Sequence, residues 1–137
     1  MRYWDKLAEF QRSNFTVIVD KSWEDHIDVG DCFDDTCFDI QDMRNKINSG
    51  DLDWFMLRVR VVFEGHEFGS AYLGGCLYED AREVLTDGTA EDVIEQAMDE
   101  AKKEVERMAS KLWACQRDLD AEAAMDDFNY VGSPHHY

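Results

Sequence analysis

Carboxylates and thiols are the side chains whose crowding along this sequence could do chemistry. Between residues 20 and 42 stand Asp20, Glu24, Asp25, Asp28, Asp31, Asp34, Asp35, Asp39 and Asp42, opposed only by Lys21 and a neutral His26. No local structural rule asks for that density. Carboxylates set several ångströms apart can reproduce the charge rhythm of a phosphate backbone and compete for the lysine- and arginine-lined groove of a nucleic-acid-binding protein. Within the same segment Asp31-Cys32-Phe33-Asp34 and Thr36-Cys37-Phe38-Asp39 form an imperfect repeat. Its phenylalanines either anchor an interface or pin the loop to the core while the aspartates stay in water. Trp23, at the edge of the segment, is a further candidate anchor; Trp4, Trp54 and Trp113 are expected to pack.

Other chemistries find less support. Cys32 and Cys37 with His26 and the nearby acids contain metal-ligating types, but the Cys-x4-Cys spacing has no second pair, and no calcium loop with a closing glutamate is present. Phosphate-binding loops, dinucleotide-binding turns, nucleophile elbows and His-Glu-x-x-His are also missing. Cys76 with His66 on the opposing strand of the hairpin could form a thiol and a base, but no third group orients them. The expectation is therefore no catalytic residue, no metal and no cofactor.

A second group of acids, Asp118, Asp120, Glu122, Asp126 and Asp127, lies toward the C-terminal end of a predicted helix. The helix dipole disfavours negative charge there, so stability does not explain them and they join the partner-binding candidates. Over the whole chain the net charge is -17 while hydrophobic residues make up 45%, so the charge is carried by a folding sequence and not by a disordered acidic tail. Such a field repels nucleic acid and anionic membranes and attracts basic surfaces. The first residues lack the apolar run of a signal peptide and no stretch approaches the ~20 apolar residues of a membrane span, which predicts a cytoplasmic protein. The four cysteines are then expected as thiols, Cys76 and Cys115 as small buried hydrophobes.

The elements that must position these groups follow from periodicity. Tyr3, Leu7 and Phe10 at helical spacing predict a short helix over 3–12, ended by Ser13-Asn14. The β-branched run in 15–20 predicts a strand, and 20–39 an irregular connection with one helical turn. Asp39 as N-cap and Ser49-Gly50 as stop bound a helix from Ile40. Phe55, Leu57, Val59, Val61 and Phe63 alternate along a strand over 54–64, and Phe68–Tyr78 returns antiparallel to it. Gly69, Gly74 and Gly75 in the return strand predict a bulge or close packing beneath a helix. One helical turn is expected over 80–85. Thr89 as N-cap with Asp92 then opens an amphipathic helix from Ala90 through Val93, Ile94, Ala97, Met98, Ala101, Val105, Met108, Ala109, Leu112 and Trp113. A helix from 90 to 126 is about 55 Å long, too long for a globule with a radius of gyration of roughly 14 Å. It must break near Gln116 or dock its overhang on something. The expected architecture is α+β: an antiparallel sheet of about three strands on a long C-terminal amphipathic helix with short helices, one domain over 1–128 and a flexible tail over 129–137.

In size, acidity, lack of catalytic motifs and α+β pattern, the chain resembles the small proteins that phages and mobile elements use against host defences, of the anti-CRISPR and DNA-mimic anti-restriction type. The resemblance is one of character over the whole chain and rests on no diagnostic motif. It implies a non-catalytic inhibitor that binds a basic nucleic-acid-handling protein or nuclease complex through an acidic, DNA-mimicking surface, without binding nucleic acid or membrane itself. The alternative is an adaptor or homodimer without mimicry, using the apolar overhang of the long helix with Met125, Phe128 and Tyr130.

Overall fold

A computed structural model describes residues 2–132, with side chains described through residue 125. The chain forms two units, Met1–Lys102 and Lys103–Tyr137. The first holds a four-stranded antiparallel sheet, β1 (Asp5–Arg12), β2 (Phe15–Trp23), β3 (Asp53–Phe63) and β4 (His66–Tyr78), in the order β1-β2-β3-β4.

Two-residue turns close both outer hairpins. Ser13 and Asn14 have φ of 52° and 68°, and Glu64 and Gly65 have φ of 51° and 77°, the paired left-handed conformation whose twist matches that of the flanking strands. The first turn corrects the expectation of a helix over 3–12: Asp5–Arg12 of that stretch form β1, and the sheet has four strands where about three were expected. A register shift between Lys6 and Ala8 is the reason. It interrupts the two-residue alternation so that Leu7 and Ala8, adjacent in sequence, both pack against the core.

One face of the sheet carries Val17, Val19, Phe55, Leu57, Val59 and Val61, all buried. Helix α3 (Thr89–Gly132) lays Ala90, Val93, Ala97 and Ala101 against them in its first turns. Small side chains let the backbones approach closely: a Cβ on Gly69 would stand 2.3 Å from the Ala97 carbonyl oxygen and 2.7 Å from the Ala101 nitrogen. Each large side chain buried there contributes roughly 1.5–3 kcal/mol relative to exposure. The cap of α3 differs from expectation. Thr89 is its first helical residue, Asp87 accepts a hydrogen bond from the Thr89 N–H at 2.9 Å, and the Asp92 N–H bonds to the Gly88 carbonyl.

Helices α1 (Val29–Cys32) and α2 (Ile40–Ser49) form a second cluster in which Val29 and Ile47 bury Trp54, with Phe33, Ile40, Met43, Leu52 and Leu77 around them. Trp54 and Leu77 are paired across β3 and β4 and alternate with the core residues Phe55 and Cys76, so this cluster covers part of the other face of the sheet. Asp39 caps α2 by accepting from the Asp42 N–H, and Gly50 ends it at φ 89°. A 3-10 turn, Ala81–Leu85, links β4 to α3 and adds Ala81 and Val84 to the core.

The second unit begins inside α3, which continues without a break past Gln116 to Gly132. Of the tail expected over 129–137, residues 129–132 therefore have helical backbone, and the others lie outside the described residues. No helix among the described residues is long and apolar enough to cross a membrane.

Candidate functional site

The acidic segment is tied into the fold. Asp20 is 3% exposed and chelates the Arg58 guanidinium, which donates at 2.8 and 2.7 Å, while Arg60 approaches at 3.4 Å. The Asp20 hydrogen bonds raise the pKa of Arg58, which also stacks 3.8 Å from the Trp4 ring centroid. Glu24, also 3% exposed, accepts from the Gly75 N–H at 2.9 Å and the His26 N–H at 3.3 Å. Ser22, which donates to the Tyr3 carbonyl at 2.7 Å, alternates with Asp20 on β2 and with Glu24 just past its end, and the three make a line of satisfied polar groups on the face opposite the core.

The remaining acids of the segment shape the loop. Asp25 pairs with Arg2 at 2.6 Å, which lowers its pKa. Asp28 caps α1, accepting from the Gly30 N–H, and pairs with Arg44 at 2.6 Å, so its pKa also falls. Asp31 closes that capping box by accepting from the Asp28 N–H, and Asp34 accepts from the Thr36 N–H. Asp39 caps α2, and Asp42 pairs with Lys46 at 3.1 Å. Asp35 is the exception, with no hydrogen bond or ion pair among the described residues. The expectation that no structural rule calls for this density is thus corrected: caps, turns and ion pairs use eight of the nine. Phe33 and Phe38 meet edge to face at 5.2 Å, Phe33 against the second cluster and Phe38 half in solvent. Trp23 is 55% exposed at the rim of shallow clefts on either side of it.

Cys76 and His66 do not meet. They sit ten positions apart on β4, about 33 Å along the strand. Cys76 is buried, its Sγ faces the Leu73 carbonyl at 3.6 Å, and burial pushes its pKa up to about 11, the reverse of an activated thiol. No cluster of three His, Cys, Asp or Glu that could hold a metal ion occurs among the described residues. All four cysteines are free thiols, and Cys115, expected to be buried, is exposed.

Among the described residues, the second unit carries a run of exposed apolar side chains. Val105, Met108, Leu112, Cys115 and Leu119 recur at alternating steps of three and four residues, a single stripe of the helix. Leu112 is 61% and Leu119 59% exposed, with Val105 at 39% and Met125 at 68% nearby. Trp113, expected to pack, is 66% exposed, with Arg117 over its ring. The amphipathic period identified the apolar face; it could not say which of its residues are buried. Asp118, Asp120 and Glu122 are exposed along the same stretch, Asp118 3.6 Å from Arg117 and Asp120 accepting from Gln116 at 2.9 Å. The side chains of Asp126 and Asp127 lie outside those described.

Among the described residues, the first unit is a sheet-and-helix scaffold and the second carries an apolar helical stripe bordered by charge. Comparison with protein-family profiles, curated proteins and solved structures gave no match.

Proposed function

We propose that this chain is a non-catalytic protein-binding module that docks through the stripe of α3 between Val105 and Leu119. The observation that carries the reading is the exposure of Leu112, Trp113 and Leu119 on one short stretch of helix. Each large side chain left in water forgoes roughly 1.5–3 kcal/mol that burial would supply, and a contiguous set of them marks an interaction surface. The capping and pairing of the 20–42 acids argues in the same direction, because those groups already serve the fold.

A second reading keeps an acidic inhibitor of a basic nucleic-acid-binding protein or nuclease complex. It is favoured by the net charge of -17 and by Asp118, Asp120 and Glu122 along α3. Binding assays at low and high salt separate the two, using the full chain, a Leu112→Ser/Leu119→Ser variant and an Asp118→Lys/Asp120→Lys/Glu122→Lys variant. The docking reading expects complexes that tolerate salt and vanish with the serine variant. Complexes lost at high salt and with the lysine variant alone would replace it with the acidic reading.

A further inference from the structure

The apolar stripe of α3 has an order of charges along it that selects its occupant. From 103 to 117 the cations Lys103, Arg107, Lys111 and Arg117 outnumber Glu104 and Glu106; from 118 to 127 there are five carboxylates and no cation. A helix with a basic half followed by an acidic half is complementary to itself run in the opposite direction. We propose that α3 pairs with α3 of a second copy of this chain as an antiparallel two-stranded coiled coil. The inference rests on the reading of the Val105–Leu119 stripe as a docking surface and names what docks there.

The spacing fixes a register. Val105, Leu112 and Leu119 occupy the first apolar position of the heptad and Met108 and Cys115 the second, with Glu122 next in that series. Two antiparallel copies then layer Leu112 on Cys115 of the other copy and Met108 on Leu119, each layer occurring twice by the two-fold axis. Val105 meets the stem of Glu122 at both ends, where the carboxylate can reach water. The same register puts Lys111 beside Asp118 of the other copy, again twice, since both occupy the flanking position that precedes the first apolar site. A parallel pair contains no such contact. There Lys111 faces Gln116 and Asp118 faces Ala123, while the acidic ends of both helices lie side by side.

Sedimentation equilibrium of the purified full chain over a range of concentrations tests the pairing. The expected result is a reversible assembly of twice the 16.0 kDa chain mass. Lys111→Asp and Asp118→Lys should each weaken it by about tenfold, because symmetry counts each ion pair twice and reversal turns attraction into repulsion. The double variant should recover the wild-type constant, with circular dichroism reporting an unchanged fold in all three. A dimer that both single variants leave intact, or that the double variant fails to rescue, overturns the antiparallel pairing. A chain that stays monomeric throughout overturns self-association. The docking reading then survives if the Leu112→Ser/Leu119→Ser variant loses a different, salt-tolerant partner, and falls with it if no such partner exists.

Discussion

A single methyl group at Gly69 probes how α3 is seated on the sheet. The Cβ of Gly69→Ala would stand 2.3 Å from the Ala97 carbonyl oxygen and 2.7 Å from the Ala101 nitrogen, both of them backbone atoms that no rotamer change can move. Relieving the contact requires lifting the helix by about 1 Å, and a gap of that size forfeits a quarter to a half of the dispersion attraction between the facing atoms. Val93, Ala97 and Ala101, buried beneath that stretch, lose it together. Overpacking of this kind costs about 1–3 kcal/mol. For a chain of this size that lowers the melting temperature by roughly 3–9 °C, followed by circular dichroism. Gly65→Ala is the control: its φ is 77° and it faces open space, so only the left-handed backbone is penalised, by about 1 kcal/mol. A Gly69→Ala protein that melts at or above the wild-type temperature would refute the close approach of α3 to β4.

Other consequences concern the buried polar line and the buried thiol. Asp20→Asn leaves Arg58 and Arg60 facing one another without their shared carboxylate; with the arginines partly exposed, chemical denaturation should show a loss of about 2–3 kcal/mol. Glu24→Ala strands the Gly75 N–H at a bulge whose φ is 68° and should lower stability by about 1–3 kcal/mol, with faster amide exchange at Gly75. Because burial raises the Cys76 pKa from 9.0 to about 11, the folded protein holds this thiol neutral where the unfolded chain ionises it. Its contribution is complete below about pH 9 and is lost as pH rises toward 11, so wild type should lose about 2 kcal/mol relative to Cys76→Ala over that interval. Under native conditions a thiol reagent should modify Cys32 and Cys37 and reach Cys76 only after unfolding; reaction of Cys76 in the folded protein would contradict its buried position.

How much of this was legible in the sequence depended on whether the cause was local. The alternation from Phe55 to Phe63 and the Asp39 cap and Gly50 stop of α2 are set by neighbouring residues, and each appears where periodicity or capping chemistry places it. β1 was hidden because its irregularity at Leu7 breaks the two-residue period and leaves Tyr3, Leu7 and Phe10 at helical spacing. Asp20 and Glu24 looked like surface charge because their partners, Arg58 and Gly75, are 38 and 51 residues away. The placement of Asp20, Ser22 and Glu24 at alternate positions after Val17 and Val19 was the available sign that β2 continues to Trp23. For α3 the period gave the helix and its apolar face, but coverage is a tertiary property. The same pattern that buries Ala97 and Ala101 leaves Leu112 and Trp113 in water.

Hydrogen exchange along α3 of the full chain, followed by mass spectrometry at high and low protein concentration, tests the docking claim most directly. A covered stripe predicts slow exchange across 105–119 that is lost on dilution and in Leu112→Ser/Leu119→Ser, while the amides around Ala97 stay protected in every case. Fast exchange across 105–119 at all concentrations, or protection that neither dilution nor the serine variant changes, would contradict it.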